Sequence, residues 1–314
     1  MDASTPGAAR AHSADRVLLG LDIGGTKISC LVVDEQGRTL ARDSVTAPVR
    51  EGGSVVADAA AELALRLTAG APLLAAGVGA AGVIDHESGS IRAASATFVD
   101  WVGFPLAAEL SARLDAPVAV ENDVNAFLLG EAAGEGGDVL GVMLGTGVGG
   151  AVIIDGELRR GPHGAAGEIG HTPGYGDLIC TCGQVGHLET LASGTSIALR
   201  YAERSGVVLP DAREVAVRAR SGDAHAIAVF FAAGRALGLA CASAATLLDL
   251  PAAIVGGGVS HAWDLLRHGV DDALRTDAPV SGIPLDIRPA RLGGDAVALG
   301  AIESARRAVL VPAY

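Results

Sequence analysis

The sequence contains one local pattern twice: a strand, a glycine-rich turn and a second strand. RVLLGLDIGG (16–25) predicts a buried strand that ends in glycines, and KISCLVVDEQGRTLARDSV (27–45) predicts two further strands around a DEQG turn. DVLGVMLGTGVGGAVIIDGEL (138–158) repeats the strand, the turn and the strand. The repetition indicates an internal duplication of a β-meander, and it predicts a domain boundary near residue 124.

Helical and strand patterns alternate in the rest of the chain. Helices are predicted over about 53–69, 105–116, from about Val124, and over 296–309, and strands over 73–82, 118–123, 252–260 and 283–290. Apolar residues make up 50% of the 314 residues but aromatic residues only 3%, so small aliphatic side chains dominate. Such side chains suit helices packed closely on parallel strands, and the fold class predicted is α/β with two domains.

Charge and terminal composition limit the partners of this chain. The formal net charge is −13 and no cluster of lysine and arginine interrupts it, which argues against a nucleic-acid surface and favours small-molecule partners. Residues 1–15 lack an apolar core, so they predict a disordered tail rather than a signal peptide, and the cytoplasm is the expected compartment. The apolar segment 227–248 contains Arg235 and two glycines, and we interpret it as a buried helix and not as a membrane span.

Three glycine clusters lie at strand ends, in DIGGTK (22–27), GTGVGG (145–150) and GGGVS (256–260). Glycine permits positive φ angles and the close approach of backbone N–H groups to a ligand oxygen. One such turn alone is typical of an ordinary hairpin, whereas two in matching contexts and a third cluster favour a nucleotide cleft. The predicted nucleotide-binding residues are Gly24, Gly25, Thr26, Lys27, Gly145, Thr146, Gly147, Gly256, Gly257 and Gly258.

Asp22 ends the first buried strand, and this position predicts a cation nearby. A buried carboxylate is costly unless it meets a cation or strong hydrogen-bond donors. Mg²⁺ on a nucleotide phosphate supplies that charge, and we expect its contact with Asp22 to run through water.

The order of six segments resembles the ROK family of sugar kinases and related repressors, within the actin-like, ribonuclease-H-like ATPase superfamily. The segments are DIGGTK, ENDVNA (121–126), LGTGVGGAVI (144–153), AGEIGH (166–171), the CxCGxxGxxE run (180–189) and VGGGVS (255–260). The resemblance spans about residues 17–305 and implies a two-lobed actin-like fold. Its domains are expected at 16–123 plus about 296–314, and at 124–295, the second carrying a zinc loop.

The resemblance implies ATP- and Mg²⁺-dependent phosphorylation of the 6-hydroxyl of glucose or of a similar hexose. An aspartate at a strand–helix junction is by itself typical of a helix cap, but the resemblance favours Asp123 as the general base. Asn122, Glu168, His171 and Glu189 match positions that hold sugar hydroxyls in ROK glucokinases. Polyphosphate as the donor stays open, as does a non-catalytic sugar-responsive regulator, and the family's habit predicts a homodimer.

One departure from the family pattern concerns the sugar. Many ROK sugar kinases have an NLPGW-like segment where this chain has TFVDW (97–101), so that Thr97 and Asp100 replace asparagine and glycine. Because the equivalent asparagine often contacts the sugar, Thr97 is a candidate contact. An aminohexose of the kanosamine type therefore stands as an alternative substrate to glucose.

A second departure concerns the zinc loop. ROK proteins usually bind structural zinc through one histidine and three cysteines, the last of which lies in GCxE; this chain has GHLE there. The ligand set implied is His171, Cys180, Cys182 and His187, which is a complete Cys₂His₂ set for zinc. A redox pair of the two cysteines and a loop without zinc are the alternatives.

Overall fold

The computed structural model describes residues 16–134 and 136–310. The tail predicted over 1–15 and the last four residues of the predicted N-terminal domain lie outside these residues. The strands are β1 (Val17–Ile23), β2 (Lys27–Asp34), β3 (Thr39–Thr46), β4 (Leu73–Ala80), β5 (Val83–Asp85), β6 (Ser90–Ala93), β7 (Val118–Asn122), β8 (Val139–Leu144), β9 (Val148–Ile154), β10 (Glu157–Leu158), β11 (Ala252–Gly256) and β12 (Asp286–Pro289).

The helices follow in the same chain order. They are α1 (Gly53–Thr68), α2 (Leu106–Leu114), α3 (Asp123–Glu131), α4 (Glu189–Ala192), α5 (Gly194–Ser205), α6 (Ala212–Arg220), α7 (Ala224–Leu248), α8 (Trp263–Thr276) and α9 (Ala296–Leu310). Short 3₁₀ turns span Ile169–His171, Gly258–Ala262 and Gly293–Asp295.

Two five-stranded sheets have the same topology. The first sheet has the order β3-β2-β1-β4-β7 and the second the order β10-β9-β8-β11-β12. In each sheet three antiparallel strands form the meander, and two later strands are parallel to the first strand of that meander. The predicted duplication is therefore confirmed at the level of strand order, and the meander's first strand is central in both sheets.

α3 and α9 lie against each other and against the first sheet, and α3 also packs on β8 and β9 of the second. Glycine makes this packing close: a Cβ atom on Gly300 would lie 1.7 Å from the carbonyl oxygen of Ala126, and one on Gly77 would lie 1.8 Å from that of Ala301. The two sheets are thus connected by α3, which packs on both of them and on α9. The division into domains near residue 124 stays a prediction.

α7 is the central helix of the second core. By length and composition it is the one helix among the described residues that could cross a membrane, but 61% of its most apolar window is buried inside the protein. Twelve of its residues are buried, including Phe230 and Leu237, which belong to the cluster that packs beneath the second sheet. This burial agrees with the prediction that the segment is a buried helix.

Two predicted boundaries differ from the observed ones for a local reason. The strand predicted over 252–260 ends at Gly256, because Gly257 has a φ angle of 83° and a 3₁₀ turn begins at Gly258. The strand predicted over 283–290 is shorter, from Asp286 to Pro289. In both segments the apolar residues continue beyond the residues that pair with a neighbouring strand. Their pattern therefore overestimates the strand length.

Replacing Ala69 with glycine is expected to stabilise the protein by about 1 kcal/mol, since a left-handed residue with a Cβ atom is strained. Ala69 ends α1 with a φ angle of 49° and is exposed. Thermal unfolding measures the effect. The same substitution at Ala59, in the middle of α1, should destabilise by about 1 kcal/mol. A lower unfolding midpoint for Ala69→Gly would contradict the expectation.

Candidate active site

Asp22 and Asp123 lie at the same edge of the first sheet. In the strand register, Asp22 pairs with Gly79 of β4, and Gly79 pairs with Glu121 of β7, two residues before Asp123. The pKa of Asp22 is raised to about 7, mainly by burial and next by the negative charge of Asp123, while the charge of Lys27 lowers it. The edge therefore holds two carboxyl groups close enough to repel each other, a setting that favours binding of a cation.

The helix cap at this edge is Asn122 and not Asp123. The Oδ1 atom of Asn122 accepts hydrogen bonds from the backbone N–H groups of Val124 (2.9 Å) and Asn125 (3.1 Å). Its Nδ2 atom donates to the carbonyl oxygen of Gly82 (2.9 Å) and to Oδ1 of Asp123 (3.0 Å). This amide is fully occupied within the protein, so it orients Asp123, and its contact with a sugar stays a prediction.

Asp123 combines burial with one available carboxylate oxygen. Its pKa is raised to about 6: burial is the main cause and the negative charge of Glu168 adds to it, while hydrogen bonds from the backbone of Val124 and from Asn122 lower it. Within the part of the chain that the structure describes, hydrogen bonds reach its Oδ1 atom and none reaches Oδ2. At neutral pH the group is ionised and can accept a proton.

Glu168 precedes the 3₁₀ turn Ile169–His171, and His171 is the last residue of that turn. Partial desolvation raises the pKa of Glu168, the positive charge of His171 lowers it, and the negative charge of Glu189 raises it. Glu168 is thus in electrostatic reach of Asp123, His171 and Glu189 together. The structure brings these four predicted residues, which are far apart in sequence, into one group.

Glu189 links the cysteine loop to the second glycine turn. Its side chain is buried, with Oε2 accepting from the backbone N–H of Val148 (2.9 Å) and Oε1 accepting from Oγ1 of Thr181 (2.6 Å). A Cβ atom on Gly147 would lie 2.5 Å from Oε2 of Glu189, so a larger residue there would displace this carboxylate. Both carboxylate oxygens of Glu189 therefore have hydrogen-bond donors within the protein. The contact of Glu189 with a sugar stays a prediction.

Thr97 lies beside the first glycine turn. A Cβ atom on Gly25 would be 3.4 Å from Cγ2 of Thr97, and the segment is anchored by Trp101, which is buried and stacked between Phe98 and Phe104 at centroid distances of 5.1 and 5.7 Å. The Trp101 Nε1 atom donates to the carbonyl oxygen of Ala81 at 3.1 Å. The aromatic stack thus holds Thr97 beside the first glycine turn.

Asp100 adopts a left-handed backbone conformation, which favours glycine. Its φ angle is 47°, in the left-handed region. Aspartate tolerates this conformation better than most residues do. An aspartate at position 100 can therefore take the backbone conformation that a glycine would take there.

The second and third glycine clusters are adjacent. The carbonyl oxygen of Gly145 accepts from the backbone N–H of Gly194 (2.8 Å), and that of Thr146 accepts from Oγ1 of Thr195 (2.9 Å). A Cβ atom on Gly257 would lie 2.5 Å from the carbonyl oxygen of Leu144. The two clusters and the N-terminus of α5 therefore meet at one place.

Most glycines of the three clusters do not adopt the positive φ angles that glycine permits. Of the glycines predicted to bind the nucleotide, only Gly257 has a left-handed φ angle. Gly150 is required by close packing instead, since a Cβ atom there would lie 2.2 Å from the carbonyl oxygen of Gly167. Close approach of backbone therefore explains this glycine of the second meander turn.

The four predicted metal ligands form one cluster. One ligand atom from each of His171, Cys180, Cys182 and His187 lies within 4.8 Å of the others. The Sγ atom of Cys180 is 3.7 Å from Nδ1 of His171, and that of Cys182 is 3.3 Å from Nδ1 of His187. Ligands 2.0–2.3 Å from a tetrahedral zinc are roughly 3.3–3.8 Å apart, so the residues fit this metal. All four cysteines of the chain are free thiols.

Sequence reasoning missed three parts of the site. Ser193 caps α5 through Ser196, and the SGTS pattern was a recognisable signal for the helix terminus that meets the second glycine turn. Thr181, the residue between the cysteines, had no such signal. An ion pair joins the buried Glu121 to the half-buried Arg160, and the only signal was an acidic residue within an apolar strand.

Comparisons with known proteins agree with this arrangement. The family model described as the ROK family matches residues 18–308. A glucokinase of Streptomyces coelicolor is 37% identical over 316 aligned positions, which cover 92% of this chain and 97% of that protein. The crystal structure of a ROK family glucokinase from Streptomyces griseus in complex with glucose and AMPPNP is 33% identical, with a TM-score of 0.80 over 93% of this chain and 99% of that one. A ROK hexokinase from Thermus thermophilus is also 33% identical, with a TM-score of 0.79 over 94% of this chain and 99% of that chain.

Proposed function

The chain belongs to the ROK family, and on this premise we propose that it is an ATP-dependent kinase that phosphorylates the 6-hydroxyl of glucose or of a glucose-like hexose. The predicted actin-like ATPase fold is confirmed by the solved ROK kinases that the structure matches. The observation that carries the proposal is the position of Asp123 between two other carboxyl groups, since it interacts electrostatically with Asp22 at the same sheet edge and with Glu168 of the facing loop.

Asp123 is proposed as the general base. Phosphoryl transfer needs positioning more than covalent help, so a carboxylate that orients the hydroxyl and accepts its proton is sufficient. The hydrogen bonds from Asn122 and from the backbone of Val124 hold Oδ1 of Asp123 and leave Oδ2 for the sugar. Glu168 and His171 are proposed to bind neighbouring sugar hydroxyls.

The glycine clusters are proposed to hold the nucleotide. Backbone N–H groups of the turns at 22–27 and 145–150, and the N-terminus of α5 beside the second turn, are suited to phosphate oxygens. Mg²⁺ bound near Asp22 would neutralise charge on the transferred phosphoryl group. The raised pKa of Asp22 marks it as a carboxyl group whose ionised form such a cation would stabilise.

Zinc is proposed to hold the loop between His171 and Glu189. Its ligands would be His171, Cys180, Cys182 and His187, and the ion would supply structural cross-linking rather than chemistry. Because Nδ1 of His171 faces Cys180, its Nε2 atom remains for a sugar hydroxyl. The loop would thereby connect metal binding to sugar affinity.

Activity with a panel of sugars tests the proposal. ADP release should be measured with Mg·ATP and glucose, glucosamine, kanosamine, N-acetylglucosamine, N-acetylmannosamine and mannose, with polyphosphate as a second donor. We expect strong turnover with glucose or with an aminohexose, whose ammonium group the carboxylates of the cleft would attract. Saturable sugar binding without any turnover would contradict the kinase and favour a sugar-sensing regulator. A cytoplasmic homodimer that binds neither nucleic acid nor membrane stays the prediction for the assembled protein.

The pH dependence of kcat/KM is expected to show one acidic limb. Protonated Asp123 cannot accept a proton, so activity should fall about tenfold per pH unit below its pKa of about 6 and level off above it. Because Asp123 and Asp22 interact, the limb belongs to the pair and lies between about pH 6 and 7. Steady-state kinetics at saturating Mg·ATP measures it, and a flat profile from about pH 5 to 8 would contradict the assignment.

A further inference from the structure

Glu121 is a buried carboxylate beside the candidate base, and the proposed mechanism does not use it. It lies in β7, only 2% exposed, two residues before Asp123. Its Oε2 atom accepts a hydrogen bond from Nε of Arg160 (2.7 Å), and Nη2 of Arg160 lies against the same oxygen. Its Oε1 atom accepts from Nδ2 of Asn125 (2.9 Å) and from the backbone N–H of Asn122 (3.2 Å). Each carboxylate oxygen therefore has two donors.

Arg160 begins the loop that carries Glu168. It follows β10, and its carbonyl oxygen accepts from the backbone N–H of Ala166 (3.1 Å), so the loop closes on itself two residues before Glu168. A Cβ atom on Gly167 would lie 2.7 Å from the carbonyl oxygen of Gly150, which leaves the base of Glu168 packed against β9. The side chain of Arg160 is thus the point where this closed loop is attached to β7.

The ion pair crosses from one sheet to the other. Glu121 belongs to the first sheet, whereas Arg160 lies two residues after the end of the second sheet's β10. On one side of the pair Glu121 holds the backbone of Asn122, the residue that caps α3 and binds Asp123. On the other side Arg160 holds the loop of Glu168. The pair therefore connects the segment that holds Asp123 with the loop that holds Glu168, and both carboxylates are proposed to bind one sugar.

We propose that Arg160 and Glu121 are positioning residues whose ion pair sets the separation of Asp123 and Glu168 across the sugar site. The inference rests on the proposed kinase function. A pair that contributed only to stability would leave the kinetics of the folded enzyme unchanged. A positioning pair affects the sugar and spares the nucleotide, because the second glycine turn is held by other contacts, from Glu189, Gly194 and Thr195.

Kinetics of Arg160→Gln and Glu121→Gln test this inference. We expect kcat/KM for the hexose to fall at least tenfold in each variant, while KM for ATP stays within twofold of the wild-type value. The double variant should be no worse than the poorer single variant, since the second change removes a partner already lost. Arg160→Lys, which keeps the charge but not the planar fork, should recover part of the loss.

Arg159→Gln is the matched control. Arg159 is the neighbouring residue and pairs with Asp155, whose side chain is 83% exposed, so its removal should change neither kinetic constant. A folded Arg160→Gln variant with wild-type kcat/KM for the hexose would overturn the inference and leave the kinase function intact. If Arg160→Gln does not fold, wild-type values for Arg160→Lys overturn it equally.

Failure of the proposed function gives a different result. A wild-type protein that turns over no hexose would be examined by calorimetry for sugar binding. At least tenfold weaker sugar binding by Arg160→Gln than by Arg159→Gln would still support the positioning role. Wild-type protein that neither turns over nor binds any sugar of the panel would overturn the inference together with the function.

Discussion

Replacing Asp123 with asparagine is expected to lower kcat for the hexose by roughly 10²–10⁴-fold, the usual contribution of a general base. Asparagine keeps the size of the side chain and an oxygen that can accept from Val124, but it cannot take the hydroxyl proton. The sugar dissociation constant should therefore change far less than kcat. Coupled ADP-release kinetics and calorimetry on the same preparation measure the two quantities.

Asp115→Asn is the control for this variant. Asp115 is exposed and ends α2 with a φ angle of 50°, a conformation that asparagine tolerates equally well. It should leave kcat unchanged. The acidic limb of the pH profile should also move to lower pH in any residual activity of Asp123→Asn, because the charge of Asp123 no longer raises the pKa of Asp22. A kcat within about threefold of wild type would remove Asp123 from the role of base.

If the proposed zinc site is real, replacing His187 with alanine is expected to release the metal and to lower thermal stability. His187 is 2% exposed and its Nδ1 atom lies 3.3 Å from Sγ of Cys182, so alanine leaves three ligands and a cavity. Each tenfold loss of zinc affinity removes about 1.4 kcal/mol of metal-linked stability. Metal content by plasma mass spectrometry and thermal unfolding with and without added zinc measure the two effects.

Two further variants separate the metal from the histidine itself. His187→Cys restores the three-cysteine pattern usual in the family, and it should keep both the zinc and the unfolding midpoint. His163→Ala removes an exposed histidine from the same irregular segment and should change neither. Metal content of His187→Ala equal to that of wild type would exclude His187 from the ligand set.

The zinc variant should also affect both substrates. Thr181, between the two cysteines, donates to Glu189, and Glu189 accepts from Val148 at the second glycine turn. A loosened loop would therefore disturb the turn proposed to hold phosphate, together with His171 on the sugar side. This connection is visible only in the folded protein, because Glu189 is 41 residues from Val148 in the chain.

The sequence by itself determined the local elements and their repetition. Alternating apolar residues and glycine clusters identified both meanders, and the order of the six segments identified the family, because both signals are written in contiguous residues. The histidine and cysteine set was also predictable, and the four residues do meet in one cluster. Strand ends were less accurate, as at Gly256, because glycine conformation and not hydrophobicity ended the strand.

Only the tertiary structure decided which side chains satisfy one another. Asn122 caps α3, a role that an aspartate at a strand–helix junction usually has. Glu189 accepts a hydrogen bond from a backbone N–H group, and Glu121 pairs with Arg160 from the other half of the protein. Each of these choices depends on donors brought near by the packing of distant segments. A buried carboxylate must find such donors, but its own sequence neighbours do not say which ones.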